Sequence, residues 1–482
     1  MTSAAPDVTA LLGEGSVVMR AAKLFRDQGH ELYLVGGPVR DMLLRRPHAD
    51  LDFATDATPD QTKSVVSPVA ANLWLQGEAF GTVGAEIDGV RVEITTFRTE
   101  HYEPASRHPD VEFTSDIKTD LSRRDFTINA MALRLPEKEA VDPFDGASDL
   151  REKRIKTPID PHVSFGDDPL RMLRAFRFAS QLGFAIDDEV IATIEDMKEK
   201  LRTVSAERMR DELSKLLVGE KPGMALELAA DTGITDLFLP ELSGLKLEQD
   251  PVHKHKDVFH HTLAVVEQTQ PELKLRLAAL LHDIGKPKTR EIGPEGVSFH
   301  HHEVVGAQMA AARLRALRYP NEIVNDVSQM IYLHHRFHTY RLGWSDAAVR
   351  RYVRDAGPLL GELDRLVRAD CTTRNSAKAK QLAQRMDELE ARIAELAAKE
   401  ELARIRPDLD GFQVMAYLGV GGGPLVGEAL EHLLELRLES GPLDPDEAYK
   451  QLDEWAHKHG LEPAGARVDP RPKKKESPTE DV

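Results

Sequence analysis

Strand-forming patterns in this chain are confined to its first third, and that asymmetry limits the folds open to it. Between residues 31 and 145, short β-type runs such as ELYLVGG, LDFAT, TVGAEI and VRVEITTF alternate with helical stretches. Such runs, bounded by turn residues and interleaved with helices, indicate a small mixed sheet. After about residue 165 the pattern changes. RMLRAFRFASQLGF, DEVIATIEDMKEKL, ERMRDELSKLL and MALELAADTGI space their apolar residues as helices do. The expected class is α+β, with everything beyond residue 165 helical.

The expected order is a leader and amphipathic helix over 1–30 (Val17, Val18, Ala21, Leu24, Phe25), a sheet unit over 31–155 and a helical segment over 156–250. A histidine-rich helical block follows over 251–374, then a helical tail over 375–465 and a disordered end over 466–482. Residues 376–404 read as a long surface helix whose heptads are too few to specify a dimer. GVGGGP at 419–424 reads as a turn between helices, since no lysine or hydroxyl follows it.

Composition narrows the function classes. A 41% hydrophobic content supports real cores and excludes whole-chain disorder. The single cysteine, Cys371, excludes an internal disulfide framework and suits a reducing compartment. With a net charge of −18, a nucleic-acid partner would need a local basic surface. No window approaches the roughly 20 apolar residues of a membrane span. MTSAAPDVTALLGEGSVVMR lacks a secretory pattern, so a cytoplasmic protein is expected.

Two features of the first third carry chemistry. LYLVGGPVRDMLL is an apolar strand, two glycines and a helix start with Pro38 in its first turn. Gly36 and Gly37 would let backbone N–H groups approach a phosphate, with Arg40 within reach. An unliganded strand–helix turn fits the same residues. Asp50-Leu51-Asp52 follows, and strand residues two apart share one face. Two adjacent carboxylates repel unless a cation neutralises them, and hard oxygen ligands suit magnesium. Glu93, in VRVEITTF, offers a third carboxylate from a neighbouring strand.

LVGGPVRDMLL, DLDFATDATP and RRDFTINAMA (Arg123 to Ala132) resemble the head of the polymerase-β-like nucleotidyltransferases. They are most similar to the bacterial tRNA nucleotidyltransferase (CCA-adding) and poly(A) polymerase family. The resemblance runs on through GDDPLRMLRAFRFA and ERMRDELSKLL, covering about residues 30–245 with five motifs in family order. It implies a head–neck–body–tail arrangement, Mg2+ at Asp50 and Asp52, and triphosphate contacts around Gly37, Arg40 and Arg124. The implied partners are CTP, ATP and the acceptor end of tRNA. Asp167, where the family more often has Glu, and Pro38 are mild departures.

Base choice follows from the next motif. Asp168 and Arg171 are three apart, hence on one face of a helix. A carboxylate only accepts hydrogen bonds and a guanidinium only donates them. Cytosine and adenine both present an amino donor beside a ring-nitrogen acceptor, whereas uracil and guanine present the reverse. The family resemblance assigns the same pair this role and adds Arg174 and Arg177. FRTEHYEPASRHPDVEFTSD, polar and loop-like, resembles the flexible loop with which CCA-adding enzymes switch from CTP to ATP. CCA addition is therefore the reading, with a poly(A) polymerase as the rival.

His261, His282-Asp283 and Asp370 give the H…HD…D order of HD-domain phosphohydrolases, and LAALLHDIGKPKT resembles their signature. A helical His-Asp dipeptide with a distant His and Asp implies a divalent site, and His301, His302, His334 and His335 could serve a second metal or phosphate. An HD phosphohydrolase whose head only binds nucleotides, and an RNA-binding protein with a dead head, are the readings from other classes. Residues 313–354 hold eight arginines with Tyr319, Tyr332, Tyr340 and Trp344 interleaved. That stretch reads equally as an RNA surface or as a solvated face with core aromatics.

Overall fold

The computed structural model describes residues 11–47, 51–101, 110–247, 257–294, 296–371, 376–400, 402 and 405–471. The chain forms two units. The first comprises residues up to Leu277 together with Ala312–Asn321, and the second Ala278–Ala311 together with Glu322 onward. Among the described residues no helix is long and apolar enough to cross a membrane.

The first unit is built on a seven-stranded sheet in the order β3-β4-β5-β2-β1-β8-β9. Its strands are β1 (Leu32–Val35), β2 (Leu51–Thr55), β3 (Ala70–Trp74), β4 (Thr82–Ile87), β5 (Val90–Thr96), β8 (Ala132–Leu135) and β9 (Glu139–Val141). β1 is buried at every residue, as its unbroken apolar run requires. β2 and β5 run parallel while the other pairings are antiparallel. The helix Val17–Asp27 is capped by Ser16 and buries Val18, Ala21, Ala22 and Phe25. The helix Pro59–Val66 starts at a full capping box, Thr58 with Gln61.

Beyond the sheet, the helix Leu170–Leu182 lies against Ala206–Leu217 and Pro222–Asp231. Its Ser180 hydroxyl donates to the Leu216 carbonyl at 2.6 Å. A Cβ at Gly219 would stand 2.2 Å from the Ser180 oxygen, so only glycine permits this approach.

Three departures from the expected texture are all short strand pairs. FRTEH and DVEF of the polar segment pair as β6 (Arg98–His101) with β7 (Asp110–Phe113) instead of forming a loop, with residues 102–109 outside the description. Arg154–Ile155 pairs in parallel with Ala185–Ile186, and Arg290–Gly293 forms a hairpin with Gly296–Phe299. Strands of two to four residues carry too few alternations to register as a period. The region beyond residue 165 is therefore mostly, not wholly, helical.

Two hydrophobic clusters stand out among the described residues of the second unit. Phe337, Val349, Tyr352, Leu363, Met386 and Leu389 anchor one, beside the long helix Ser376–Lys399. Val414, Leu433, Tyr449, Leu452 and Trp455 anchor the other, among the helices Gly411–Leu418, Pro424–Ser440 and Pro445–Lys458. GVGGGP is the turn between the first two of these helices.

The arginine-rich stretch resolves into internal ion pairs. Arg313 grips Glu241, Arg336 meets Asp355 at 2.5 Å, and Arg351 spans Glu435 and Glu439. Arg350 is buried on Glu400 at 2.9 Å. Tyr340 and Trp344 pack against the first core, and Tyr319 is buried on Ser214. This stretch is chiefly scaffold.

Candidate active site

The strand β1 delivers the chain into Gly36 at φ 73°, ψ −130°, a conformation that L side chains avoid. A Cβ there would also stand 3.0 Å from Arg124 Nη1. Arg40, in the helix Gly37–Leu43, donates from Nη1 to Asn129 Oδ1 at 2.8 Å and from Nε to Asp41 at 2.8 Å. Its guanidinium lies 5.2 Å from the Phe178 ring centroid. Across the sheet, Asp52 of β2 sits directly opposite Glu93 of the parallel strand β5. Both line one cavity. Asp50 lies outside the described residues.

That cavity has a volume of about 980 Å3, and its walls belong entirely to the first unit. Eight cationic side chains line it against five carboxylates. In a chain of net charge −18, this is the local basic surface that a polyanionic substrate needs.

The arginines are held in place by buried acceptors. Arg123 and Arg124 both bond Asp120, at 2.8 and 3.1 Å. Arg174 bonds Asp125 at 2.6 Å, and Arg177 bonds Glu212 at 2.5 Å. Burial alone would push the Asp125 carboxyl up, but Arg174, the Asn129 amide, Arg177 and Arg171 outweigh it and bring it down to about 2. Asp120 is held low in the same way, burial being overcome by Arg123 and Arg124.

Asp168 and Arg171 both line the cavity, but they do not share a helix. The helix begins at Leu170, and Asp168 precedes it in extended backbone, φ −136°, ψ 99°. Pro169 is the reason, because proline disfavours the helical region in the residue before it. Asp168 instead caps the Leu170 N–H at 3.1 Å and accepts from Arg208 at 2.9 Å. Arg171 is buried, donating to Ser164 from Nη1 and to the Arg123 carbonyl at 2.6 Å from Nη2. A guanidinium has five N–H donors, so Nε–H and one Nη2–H lie beyond these three bonds.

The histidine block supplies a second cluster. His282-Asp283 lies not within a helix but in the turn just after Leu273–Leu281, and both residues are fully buried. His282 Nε2 stands 3.2 Å from Asp283 and 3.5 Å from Asp370. Ligand atoms of Asp283, His302 and His334 lie within 4.8 Å of one another. His261 belongs to the first unit, buried in the helix Val258–Gln268. His301 is 83% exposed, and His335 is exposed with its ring 4.9 Å from that of His302.

In His282, His302 and His334 alike, Nδ1 faces the carbonyl three residues earlier, at 2.7, 2.9 and 2.5 Å. A carbonyl can only accept, so Nδ1 carries the proton and Nε2 presents its lone pair in the neutral ring. Burial opposes a charge on His282, yet Asp283 and Asp370 prevail and lift it to about 10. Burial brings His334 down to about 3. The cluster thus draws a positive charge onto its centre, and its mixed nitrogen and oxygen donors fit a divalent cation.

A family model described as "Poly A polymerase head domain" matches residues 32–156. Others, described as "Probable RNA and SrmB- binding site of polymerase A" and "HD domain", match 183–245 and 258–401. The A-adding tRNA nucleotidyltransferase of Deinococcus radiodurans is 32% identical over 436 residues, covering 88% of this chain and 95% of that protein. This chain belongs to the tRNA nucleotidyltransferase family. A CCA-adding enzyme of Bacillus pumilus is 42% identical over 224 residues, 46% of this chain and 54% of that enzyme. Among solved structures, the Bacillus stearothermophilus CCA-adding enzyme in complex with CTP aligns with a TM-score of 0.66 at 25% identity. That alignment covers 92% of this chain and 97% of the other.

Reading this nucleotidyltransferase from sequence missed several cavity residues. Asp125, Asn129, Phe178 and Lys215 line the walls without having been singled out. Asp125 and Asn129 stood inside RRDFTINAMA, but the partner of Asp125 is Arg174, 49 residues on, and not the adjacent Arg123 or Arg124. Phe178 and Lys215 gave no signal beyond helical spacing.

Proposed function

We propose that this chain transfers nucleotidyl groups from CTP and ATP to the 3′ end of tRNA in the cytoplasm, building or repairing the terminal CCA. The observation that carries the reading is the convergence on one cationic cavity of the Gly36 turn, the Asp52–Glu93 pair and the Asp168–Arg171 pair. In this reading Gly37, Arg40 and Arg124 bind the triphosphate. Asp168 accepts from the exocyclic amino group of cytosine or adenine, and Arg171 donates to the ring nitrogen beside it. Arg174 and Arg177 complete the base-reading wall. Uracil and guanine would leave both groups facing a like partner, which costs a polar site about 10⁴-fold in selectivity. The RNA 3′-hydroxyl oxygen forms a bond to the α-phosphorus as the bond to pyrophosphate breaks. Asp50 and Asp52 would hold magnesium, which supplies charge neutralisation at the attacking and leaving oxygens.

A second reading is addition of the final adenosine alone. The observation favouring it is that the relative aligned over nearly its full length is named A-adding. For the histidine cluster we propose a divalent site at His282, Asp283 and Asp370 with His302 and His334. It would support phosphohydrolase chemistry on nucleotides or RNA ends.

The test is end-sequencing of tRNA lacking CCA after incubation with magnesium and CTP, ATP or both. Two cytidines from CTP and one further adenosine from both, then arrest, is the expected result. Addition only to a tRNA already ending in CC selects the second reading. A long adenosine ladder from ATP alone makes it a poly(A) polymerase, and no addition at all overturns the transferase reading.

A further inference from the structure

One side chain of the cavity wall touches both ends of the proposed nucleotide site. Asn129 closes the short 3-10 turn Thr127–Asn129 and is 7% exposed. Its Oδ1 accepts from Arg40 Nη1 at 2.8 Å, and its Nδ2 donates to Asp125 Oδ1 at 3.0 Å. The other oxygen of Asp125 forms an ion pair with Arg174 Nη2 at 2.6 Å. A continuous chain, Arg40–Asn129–Asp125–Arg174, therefore joins the glycine-turn helix to the helix Leu170–Leu182. The turn itself is pinned, with Thr127 N–H on the Lys156 carbonyl at 2.8 Å and Thr127 Oγ1 on Asp149 at 2.7 Å.

The chemistry of the ends dictates the middle. Arg40 can only donate and an ionised Asp125 can only accept. A residue between them must accept on one atom and donate on another, which a short amide does. The same requirement fixes which atom of Asn129 is oxygen. An ionised aspartate could not donate, and leucine could do neither.

We propose that Asn129 is a positioning residue that locks the triphosphate arginine, Arg40, to the base-reading arginine, Arg174, so that the two ends of the nucleotide are held in one register. This rests on the transferase reading above, and it gives the amide a role in base selection without contact to the base.

The test uses the full chain with Asn129→Asp and Asn129→Leu. Asn129→Asp places a second carboxyl against Asp125, and two carboxyls so close share one proton. In its protonated form that aspartic acid donates to Asp125 and accepts from Arg40, as the amide does. The charged groups around position 129 are Arg40 and Asp41 from the glycine-turn helix, Arg124 and Asp125 from its own segment, and Arg171, Arg174 and Arg177 from the reading helix.

At pH 8 both variants should lose about 10- to 100-fold in kcat/KM for CTP and ATP, the size expected for breaking a buried charge-assisted bond. Misincorporation of UMP should rise in both, and KM for the RNA should stay unchanged. The ratio of wild-type to Asn129→Asp activity should be steady from pH 8 to pH 6 and narrow only as pH falls into the carboxyl range of about 4 to 5, while that for Asn129→Leu should not narrow. Equal, pH-independent losses in the two variants, or unchanged base selection, would overturn the proposal. If Asn129→Leu does not fold, the pH ratio of Asn129→Asp decides alone. Wild-type protein that adds no nucleotide defeats the transferase reading, whereas active wild type with unaffected variants defeats only the role of Asn129.

Discussion

The cavity of the first unit and the histidine cluster of the second solve opposite electrostatic problems. Behind and along the cavity walls, the buried carboxylates Asp120, Asp125 and Glu212 are each matched by a guanidinium, and cations still outnumber anions among the lining residues. In the cluster, Asp283 and Asp370 have Lys286, 2.7 Å from Asp283, and a buried histidine to balance them. Against its burial, Asp283 and Asp370 consequently pull the His282 imidazole upward from its ordinary value. A site that carries surplus positive charge in an open, 980 Å3 space is shaped for a polyanion. One that gathers acceptors around a single buried point is shaped for a small cation.

The largest expected effect tests whether the cavity depends on its carboxylates for chemistry. Asp52→Asn should lower nucleotide addition by about 10³-fold or more, since a metal-binding carboxylate supplies several kcal/mol to the transition state. CTP affinity should change only a few-fold, because the arginine walls remain. Extension of end-labelled tRNA and nucleotide titration measure the two quantities, and preserved addition would remove Asp52 from the catalytic set.

Next in size is base choice. Asp168→Ala should raise UMP and GMP incorporation about 100-fold relative to CMP, because the polar mismatch that excludes them disappears. Asp168 also caps Leu170, so about 1 kcal/mol of stability should be lost with it. Unchanged base preference with that stability loss would reduce Asp168 to a helix cap.

The cluster has the smaller functional expectation. His302→Ala or His334→Ala should weaken divalent binding at least about 10-fold while leaving tRNA extension intact. Chelator should lower the thermal midpoint of the wild-type chain and not that of the variants. A drop in extension would show that the two sites are not chemically independent.

What the sequence made legible divides along the same line. The Gly36 turn and the His282-Asp283 step were readable because each is a local demand: a positive φ and adjacent ligands. Long-range partners were not. Arg350 and Arg351 could not be told apart from an RNA surface because their acceptors Glu400, Glu435 and Glu439 lie 50 to 88 residues away. The place of Asp168 was legible in principle, since a residue before proline resists the helix, but spacing alone hides that rule.

The last prediction tests the charge-balance argument itself with two carboxyls, one from each unit. Asp125 is held at about 2, whereas burial and then Glu390 push Asp364 up to about 6, against the Tyr352 hydroxyl bond that lowers it. An unfolded aspartate titrates near 3.9. For Asp364 the folded value is raised, so its stabilisation is full below about pH 3.9 and lost as pH rises through 6. For Asp125 the folded value is depressed, so its stabilisation is present above about pH 3.9 and lost as pH falls through 2. Neutral isosteres should therefore act in opposite directions at pH 8. Asp364→Asn should stabilise by about 3 kcal/mol, with the gain vanishing towards pH 4, and Asp125→Asn should destabilise by about 3 kcal/mol. Urea midpoints at pH 4.5 and pH 8 measure both. If the two variants shift stability in the same direction at pH 8, guanidinium pairing is not what separates the regions, and packing around the side chains must be.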